Sequence, residues 1–416
     1  MSRRARVGIA FAAVVAVAFI GSALVAGWVG SVGISDAPVY QRYGERMLEG
    51  DMPYRDFRVE YPPGALAAFF LPALAAGSGD PSAYEHWLAV VMVFCAAVCA
   101  VLAVVAVSLL GGSPGRHARA AFLLPAGLLV LGPFTLTRFD LLPAALTTAA
   151  LAAYFGKRER FGAGMLGLAI GTKLYPVVIL PLLVTRAWRC HGRREALGQL
   201  GLAVGLAGAL YLPFLVLAPE GVARSVWQQL GRPLQIESLG AGILLALHHA
   251  ADLPLGWASG HGSQNLSGGV AAVAAALTTI AGATALMLTW IRYARGPFEM
   301  ERLVRYTAAA TVAFVAFGKV LSPQFLVWLL PLVPLVAGRR GAAATGLLLL
   351  ACLLTRLWFP ADYWELVKRF DVTASWLVLA RDLALVWLFV LLARPLMARE
   401  RAPARSPSPV PSTGRT

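Results

Sequence analysis

Uncharged runs of apolar residues alternate with short polar segments along most of this chain. Three runs, at 7–29, 87–110 and 268–291, are long enough to cross a bilayer as single helices. A helix needs about 20 apolar residues to span the roughly 30 Å hydrocarbon layer. No long soluble stretch separates the runs, so the pattern predicts an all-α polytopic membrane protein.

The whole pattern predicts about twelve transmembrane helices in a single domain over residues 1–393. The predicted helices are 7–29, 87–110, 120–137, 141–156, 161–172, 174–185, 196–218, 268–291, 306–320, 323–338, 341–359 and 373–393. The first run is longer than the 7 to 15 apolar residues of a cleaved signal peptide, so we expect a retained helix. Residues 394–416 are rich in Arg, Pro and Ser, and we expect a disordered tail.

The composition agrees with a membrane class. Hydrophobic residues make up 58% of the chain and charged residues 14%, whereas a soluble domain is roughly half apolar and a quarter charged. The net charge of +15 would indicate nucleic acid only if the basic residues clustered on one soluble face. They separate apolar runs instead, so no nucleic-acid partner is expected. The four cysteines show no disulfide framework or metal spacing, and no metal site is predicted.

The charges also predict an orientation. With the N-terminus placed in the cytoplasm, 23 of the 36 Lys and Arg residues fall on predicted inner segments, while 16 of the 21 acids do not. This asymmetry follows the positive-inside rule and places both termini in the cytoplasm of a plasma-membrane protein. Lys173 and Lys319 fit the rule if each lies at the outer apex of a hairpin. An ionisable residue at membrane depth favours a functional role, and snorkelling to the headgroups is the alternative.

The densest polar segment lies in the predicted first outer loop, 30–86. Its part at 36–63 contains six acids, four arginines and four tyrosines. Residues 39–48 predict a short amphipathic helix, and residues 65–76 a second short helix along the interface. Aromatic rings and arginines near headgroup level suit a lipid phosphate or a sugar. A solvated loop with internal ion pairs is the alternative.

A longer outer segment, 219–267, is predicted between two membrane runs. It contains Pro, Trp and Gln residues and an apolar stretch at 243–251 that is interfacial or re-entrant. A re-entrant segment is tolerated where its backbone ends in protein or a wet cavity.

Several short motifs follow one another in a familiar order. They are Asp36-x-x-Val39-Tyr40, Pro53-Tyr54-Arg55-Asp56-Phe57, Glu60-Tyr61-Pro62-Pro63, Arg138-Phe139-Asp140-Leu141-Leu142-Pro143, the glycine-rich stretch that ends in Gly171-Thr172-Lys173-Leu174-Tyr175-Pro176, and Lys319-Val320-Leu321-Ser322-Pro323-Gln324-Phe325. Together they resemble the GT-C superfamily of glycosyltransferases that use polyprenyl-phosphate sugars, and within it glycosyltransferase family 87, an actinobacterial mannosyltransferase-like group.

The resemblance implies a hexosyltransferase that moves a sugar, usually mannose, from a polyprenyl-phosphate carrier to an acceptor on the outer membrane face. It implies membrane lipids, the lipid-linked donor and a glycolipid or polysaccharide acceptor as partners, and no cofactor. In such enzymes an acid near the start of the first outer loop deprotonates the acceptor hydroxyl, and Asp36 matches that position. Related mannosyltransferases carry histidine near the late motif, where this chain has Lys319 and Gln324. The identity of sugar and acceptor is therefore left open.

The chemistry of the reaction distributes the remaining roles. Asp36 is the expected general base of an inverting displacement, and a helix N-cap is its structural alternative. Cations suit the departing lipid phosphate, and the candidates are Lys173, Lys319, Arg58 and Arg138. The candidates for contacts with sugar or acceptor are Tyr40, Asp56, Glu60, Tyr61, Asp140 and Gln324. Asp140 is also expected to pair with Arg138.

Two other functional classes fit the helix pattern. A secondary transporter would combine about twelve helices with broken segments and intramembrane lysines, although the chain shows no internal repeat. A non-catalytic membrane partner that retains the fold is the second alternative.

Overall fold

The computed structural model of the chain describes residues 1–28 and 33–394. These ranges are mostly helical, with one two-stranded hairpin. The α-helices are α1 (Arg3–Val25), α2 (Ala37–Leu48), α3 (Leu66–Ala76), α4 (Pro81–Leu109), α5 (Pro114–Leu131), α6 (Leu141–Phe155), α7 (Glu159–Thr172), α8 (Leu180–His191), α9 (Arg193–Leu217), α10 (Pro219–Leu230), α11 (Leu239–Ala251), α12 (Gly269–Ala294), α13 (Met300–Ala316), α14 (Leu326–Leu329), α15 (Gly338–Arg356), α16 (Tyr363–Arg369) and α17 (Val372–Ala393). The antiparallel strands are β1 (Gly256–Gly260) and β2 (Ser263–Ser267).

Five helices, α1, α4, α9, α12 and α17, are long and apolar enough to cross a membrane. The prediction of a helical multi-pass membrane protein without a large soluble domain is confirmed, whereas the number of twelve spanning helices is not. The best windows of α9 and α12 are only 6% and 17% buried. These two helices therefore present most of their apolar surface outward, as lipid-facing helices do.

Prolines explain the largest differences from the predicted helices. The run at 323–338 contains only α14 between two short 3₁₀ turns, Pro323–Phe325 and Val333–Leu335, because proline lacks the amide hydrogen that a continuous helix needs. The helix predicted at 120–137 begins and ends earlier, as α5. It stops before Gly132-Pro133, where Gly132 adopts a positive φ of 96° that favours glycine.

The predicted first outer loop folds much as its sequence indicates. The short helix α2 covers the predicted 39–48, a turn follows at Pro53–Asp56, and α3 covers the predicted 65–76. At Gly44 the backbone of α2 comes so close to α3 that a Cβ atom would lie 2.5 Å from the carbonyl oxygen of Phe69. The two helices therefore pack directly against each other at the start of the loop.

The segment 219–267 is more ordered than the predicted outer loop. It forms α10, α11 and the β1–β2 hairpin, and α11 includes the apolar stretch 243–251. The predicted disordered tail lies, apart from Arg394, outside the described residues. Both lysines of the predicted hairpins lie between helical segments, Lys173 directly after α7 and Lys319 in the turn after α13.

Candidate active site

Asp36 occupies the N-cap position of α2, as the structural alternative predicted, but its side chain makes no capping hydrogen bond. The Oδ2 atom instead accepts a hydrogen bond from Nη1 of Arg138, and the hydroxyl of Tyr40, one turn further along α2, donates to the same oxygen over 3.3 Å. The carboxylate is 30% exposed and is therefore reachable by a substrate.

Arg138 lies in the turn between α5 and α6 and is almost fully buried. Within the described ranges its buried Nε atom has no hydrogen-bond partner. The ion pair with this buried arginine fixes the position of the Asp36 carboxylate at the start of α2.

Asp140 binds a different cation from the one that the sequence predicted. Its Oδ1 atom accepts hydrogen bonds from Nζ of Lys173 over 2.6 Å and from Nε1 of Trp328 over 2.7 Å. The predicted pair between Asp140 and Arg138 is therefore wrong. Both residues lie in the non-helical turn before α6, and their side chains bind separate partners.

Phe139 lies between the two ion pairs. Its ring centroid is 4.4 Å from Nζ of Lys173 and 5.1 Å from the ring centroid of Tyr61. Tyr40 also contacts Phe139 and stacks on Phe69 with the ring centroids 4.4 Å apart. These rings form a rigid wall that connects the two charged pairs. A cation above an aromatic face is stabilised by the ring quadrupole.

Gln324 and Glu60 directly precede two aromatic residues near the site, Phe325 and Tyr61. Gln324 belongs to the 3₁₀ turn Pro323–Phe325, and its buried Oε1 atom has no partner in the part of the chain that the structure describes. The adjacent Phe325 stacks on Trp328. Glu60 accepts hydrogen bonds from Gln228 and Gln229 of α10, over 3.3 Å to its carboxylate and 2.8 Å to its backbone oxygen.

Three predicted site residues lie apart from the two ion pairs. Asp56 forms an ion pair with its neighbour Arg55 in an exposed turn, and Arg58 is exposed without a hydrogen-bond partner among the described residues. Lys319 donates to the backbone oxygen of Leu230 over 3.0 Å. The structure thus brings together Asp36, Tyr40, Tyr61, Arg138, Asp140 and Lys173, and leaves Asp56, Arg58 and Lys319 outside.

A family model described as glycosyltransferase family 87 matches residues 60–323, more than half of the chain. The chain belongs to glycosyltransferase family 87. No curated protein matches it. The matched range includes Arg138, Asp140 and Lys173 and begins after Asp36. Asp36 lies outside the matched range, but its side chain forms an ion pair with Arg138, which lies inside it.

The sequence did not indicate two charged residues near the site of this family 87 glycosyltransferase. Arg232 and Glu237 lie in the segment between α10 and α11. Burial raises the pKa of Glu237 to about 7, while Arg381 and Arg138 act in the opposite direction. Burial lowers the pKa of Arg232, and nearby acidic groups oppose this shift.

Within residues 1–28 and 33–394, no three His, Cys, Asp or Glu side chains come close enough together to hold a metal ion. The charged groups that this part of the family 87 enzyme offers to a substrate are carboxylates, guanidinium groups and amines. They can accept a proton, bind a phosphate and position sugar hydroxyls.

Proposed function

We propose that this family 87 glycosyltransferase moves a sugar, with mannose as the first candidate, from polyprenyl phosphate to an acceptor hydroxyl on the outer face of the plasma membrane. The observation that carries the proposal is the partly exposed carboxylate of Asp36, held by the buried Arg138 at the start of the outer loop. Family membership supports glycosyl transfer, and the apolar helices suit a donor with a lipid carrier. A glycolipid or a polysaccharide supplies the acceptor.

The reaction is a single displacement at the anomeric carbon. The acceptor oxygen attacks this carbon and forms the glycosidic bond, while the bond between the carbon and the phosphate oxygen breaks. The polyprenyl phosphate leaves with the electron pair of that bond, and Asp36 takes the acceptor proton. General-base catalysis of this kind contributes roughly 10²- to 10⁴-fold to the rate.

The environment of the second carboxylate supports inversion of the anomeric configuration. A retaining double displacement needs a nucleophilic carboxylate about 5 Å from the acid. Asp140 is almost fully buried, and its Oδ1 atom is already bound by Lys173 and Trp328. It is therefore poorly suited to attack a sugar, and Asp36 acts alone as base.

Replacement of Asp36 tests the proposal. We expect Asp36→Asn and Asp36→Ala to lower transfer from a radiolabelled polyprenyl-phosphate sugar by about 100-fold or more, because neither side chain can accept the proton. The measurement uses membranes with equal amounts of each protein. Glu49→Gln is the matched control, since Glu49 is an exposed acid of the same loop, and it should retain activity.

Transfer that persists in Asp36→Asn would contradict the role of Asp36 as base. Wild-type membranes that form no labelled product from any polyprenyl-phosphate sugar would contradict the proposed donor. In that case the transporter and the non-catalytic partner become the better explanations. Product formation that depends on Asp36 excludes both.

A further inference from the structure

The segment between α10 and α11 is held from two sides. On one side the amide of Leu266 donates to the backbone oxygen of Leu234 over 2.9 Å, and the amide of Ile236 donates to the oxygen of Gln264 over 3.1 Å. On the other side the amide of Gln235 donates to the oxygen of Lys319 over 3.0 Å. The backbone of this segment is therefore fixed between the β1–β2 hairpin and the turn after α13.

Arg232 belongs to this fixed segment and has no hydrogen-bond or ion-pair partner among the described residues. Its Nε atom is buried without an acceptor there, and no described carboxylate lies within ion-pair distance of its guanidinium group. The side chain is still close enough to Asp36, Glu60 and Glu237 to interact with them electrostatically. Arg232 thus belongs to the charged region around the proposed base.

The cations of the two ion pairs are less suited to a phosphate. Arg138 is neutralised by Asp36, and Lys173 by Asp140 at 2.6 Å. The donor phosphate would have to compete with these carboxylates for both cations. Arg232 faces no such competition, because its acidic neighbours act on it only from a distance.

Lys319 is the second available cation. Its ammonium group donates to the neutral carbonyl of Leu230, two residues before Arg232. A groove of about 830 Å³ is lined by Lys319 and by Gly231 and Pro233, the two neighbours of Arg232 in the sequence. It continues along the alanine-rich start of α12. This helix is largely unburied, so the apolar groove adjoins its lipid-facing surface.

We infer that Arg232 and Lys319 bind the lipid phosphate of the donor, with the isoprenoid chain in the groove along α12. The inference rests on the proposed function. Arginine forms two parallel hydrogen bonds to a phosphate, and lysine adds a mobile point charge. When the bond to the sugar breaks, the phosphate gains negative charge that the two cations stabilise. In this arrangement Lys173 stays paired with Asp140.

The test measures binding of a short-chain isoprenyl monophosphate to the purified full-length protein, with the isoprenol of equal chain length as the uncharged probe. We expect the wild type to bind the phosphate more tightly than the alcohol. Arg232→Gln should weaken phosphate binding by about 10-fold or more, since it removes charge-assisted hydrogen bonds, and leave isoprenol binding unchanged. Arg232→Lys should give an intermediate loss, and Lys319→Gln a smaller loss than Arg232→Gln.

Arg224→Gln serves as the matched control, because Arg224 is an exposed arginine of α10, and it should bind both probes as the wild type does. Equal phosphate binding by wild type, Arg232→Gln and Lys319→Gln would overturn the inference and leave the proposed function standing. A wild type that does not prefer the phosphate to the alcohol would instead overturn the proposed donor. If Arg232→Gln fails to fold, Arg232→Lys and Lys319→Gln decide the outcome.

Discussion

Asp36 and Asp140 show how neighbours separate the roles of two identical side chains. The carboxylate of Asp36 is 30% exposed and that of Asp140 is 2% exposed. The carboxylate of Asp36 pairs with one buried arginine and remains partly exposed, whereas that of Asp140 is enclosed by Lys173 and Trp328. A buried charge requires a partner, because desolvation is otherwise too costly. Asp140 is therefore tied to the stability of the site.

The pair between Asp140 and Lys173 predicts a stability effect at the residue scale. Asp140→Asn leaves Lys173 as a buried cation without a counter-charge, and breaking such a pair costs about 3–5 kcal/mol. We expect a clearly lower melting temperature of the detergent-purified protein, measured by thermal unfolding.

The double variant Asp140→Asn with Lys173→Met provides the control, since it removes both charges. Its loss of stability should be smaller than the sum of the two single losses. Purely additive losses would show that the two side chains are not energetically coupled.

The sequence indicated most of the charged site residues and misassigned their partners. Asp36, Asp140 and Lys173 stood out through their positions in motifs. Arg138 reaches Asp36 across 102 residues of chain, however, and pairing over such a separation depends on the packing of whole helices. Arg232 and Glu237 were missed for the same reason, because nothing near them in sequence shows which charges they face.

Small residues determine the packing of the helices that carry Lys173. A Cβ atom on Gly167 of α7 would lie 2.3 Å from the backbone oxygen of Ala203 of α9. Such close approach of two backbones is typical of helix pairs in membranes, where small residues replace the hydrophobic driving force. The end of α7, and with it Lys173, is positioned by this contact.

Gly167→Ala should therefore destabilise the protein. The added methyl group forces α7 and α9 apart, and overpacking of this kind costs about 1–3 kcal/mol. The matched control is Gly201→Ala on α9, where a Cβ atom would meet nothing within 4 Å. Thermal unfolding should show a loss for the first variant and none for the second. Equal melting temperatures would contradict the close packing.

Long elements were easier to predict than short ones. The runs at 7–29, 87–110 and 268–291 correspond to α1, α4 and α12 within a few residues, because an uninterrupted apolar run has few alternatives to a helix. The broken stretch around α14 and the fold of 219–267 were not predicted. Their local structure depends on proline positions and on contacts with distant segments.

At the scale of the whole molecule, the predicted orientation can be tested with a native cysteine. Among the described residues Cys190 is exposed, while Cys95, Cys99 and Cys352 are buried. Cys190 lies near the end of α8, on a predicted inner segment. We expect a membrane-impermeant maleimide to label it in inside-out vesicles and not in intact cells.

Glu49→Cys in a Cys190→Ser background gives the opposite control, since Glu49 is exposed and lies in the predicted first outer loop. It should react in intact cells. Labelling of Cys190 from outside would reverse the orientation and place the proposed site in the cytoplasm.

The ion pair between Asp140 and Lys173 has a consequence for biogenesis. Asp140 lies at the start of α6 and Lys173 directly after α7, 33 positions later in the sequence. The ribosome therefore synthesises Asp140 well before Lys173. An unpaired charge inside a membrane costs roughly 3 kcal/mol. We therefore expect α6 and α7 to enter the membrane together, as a hairpin whose charges already cancel.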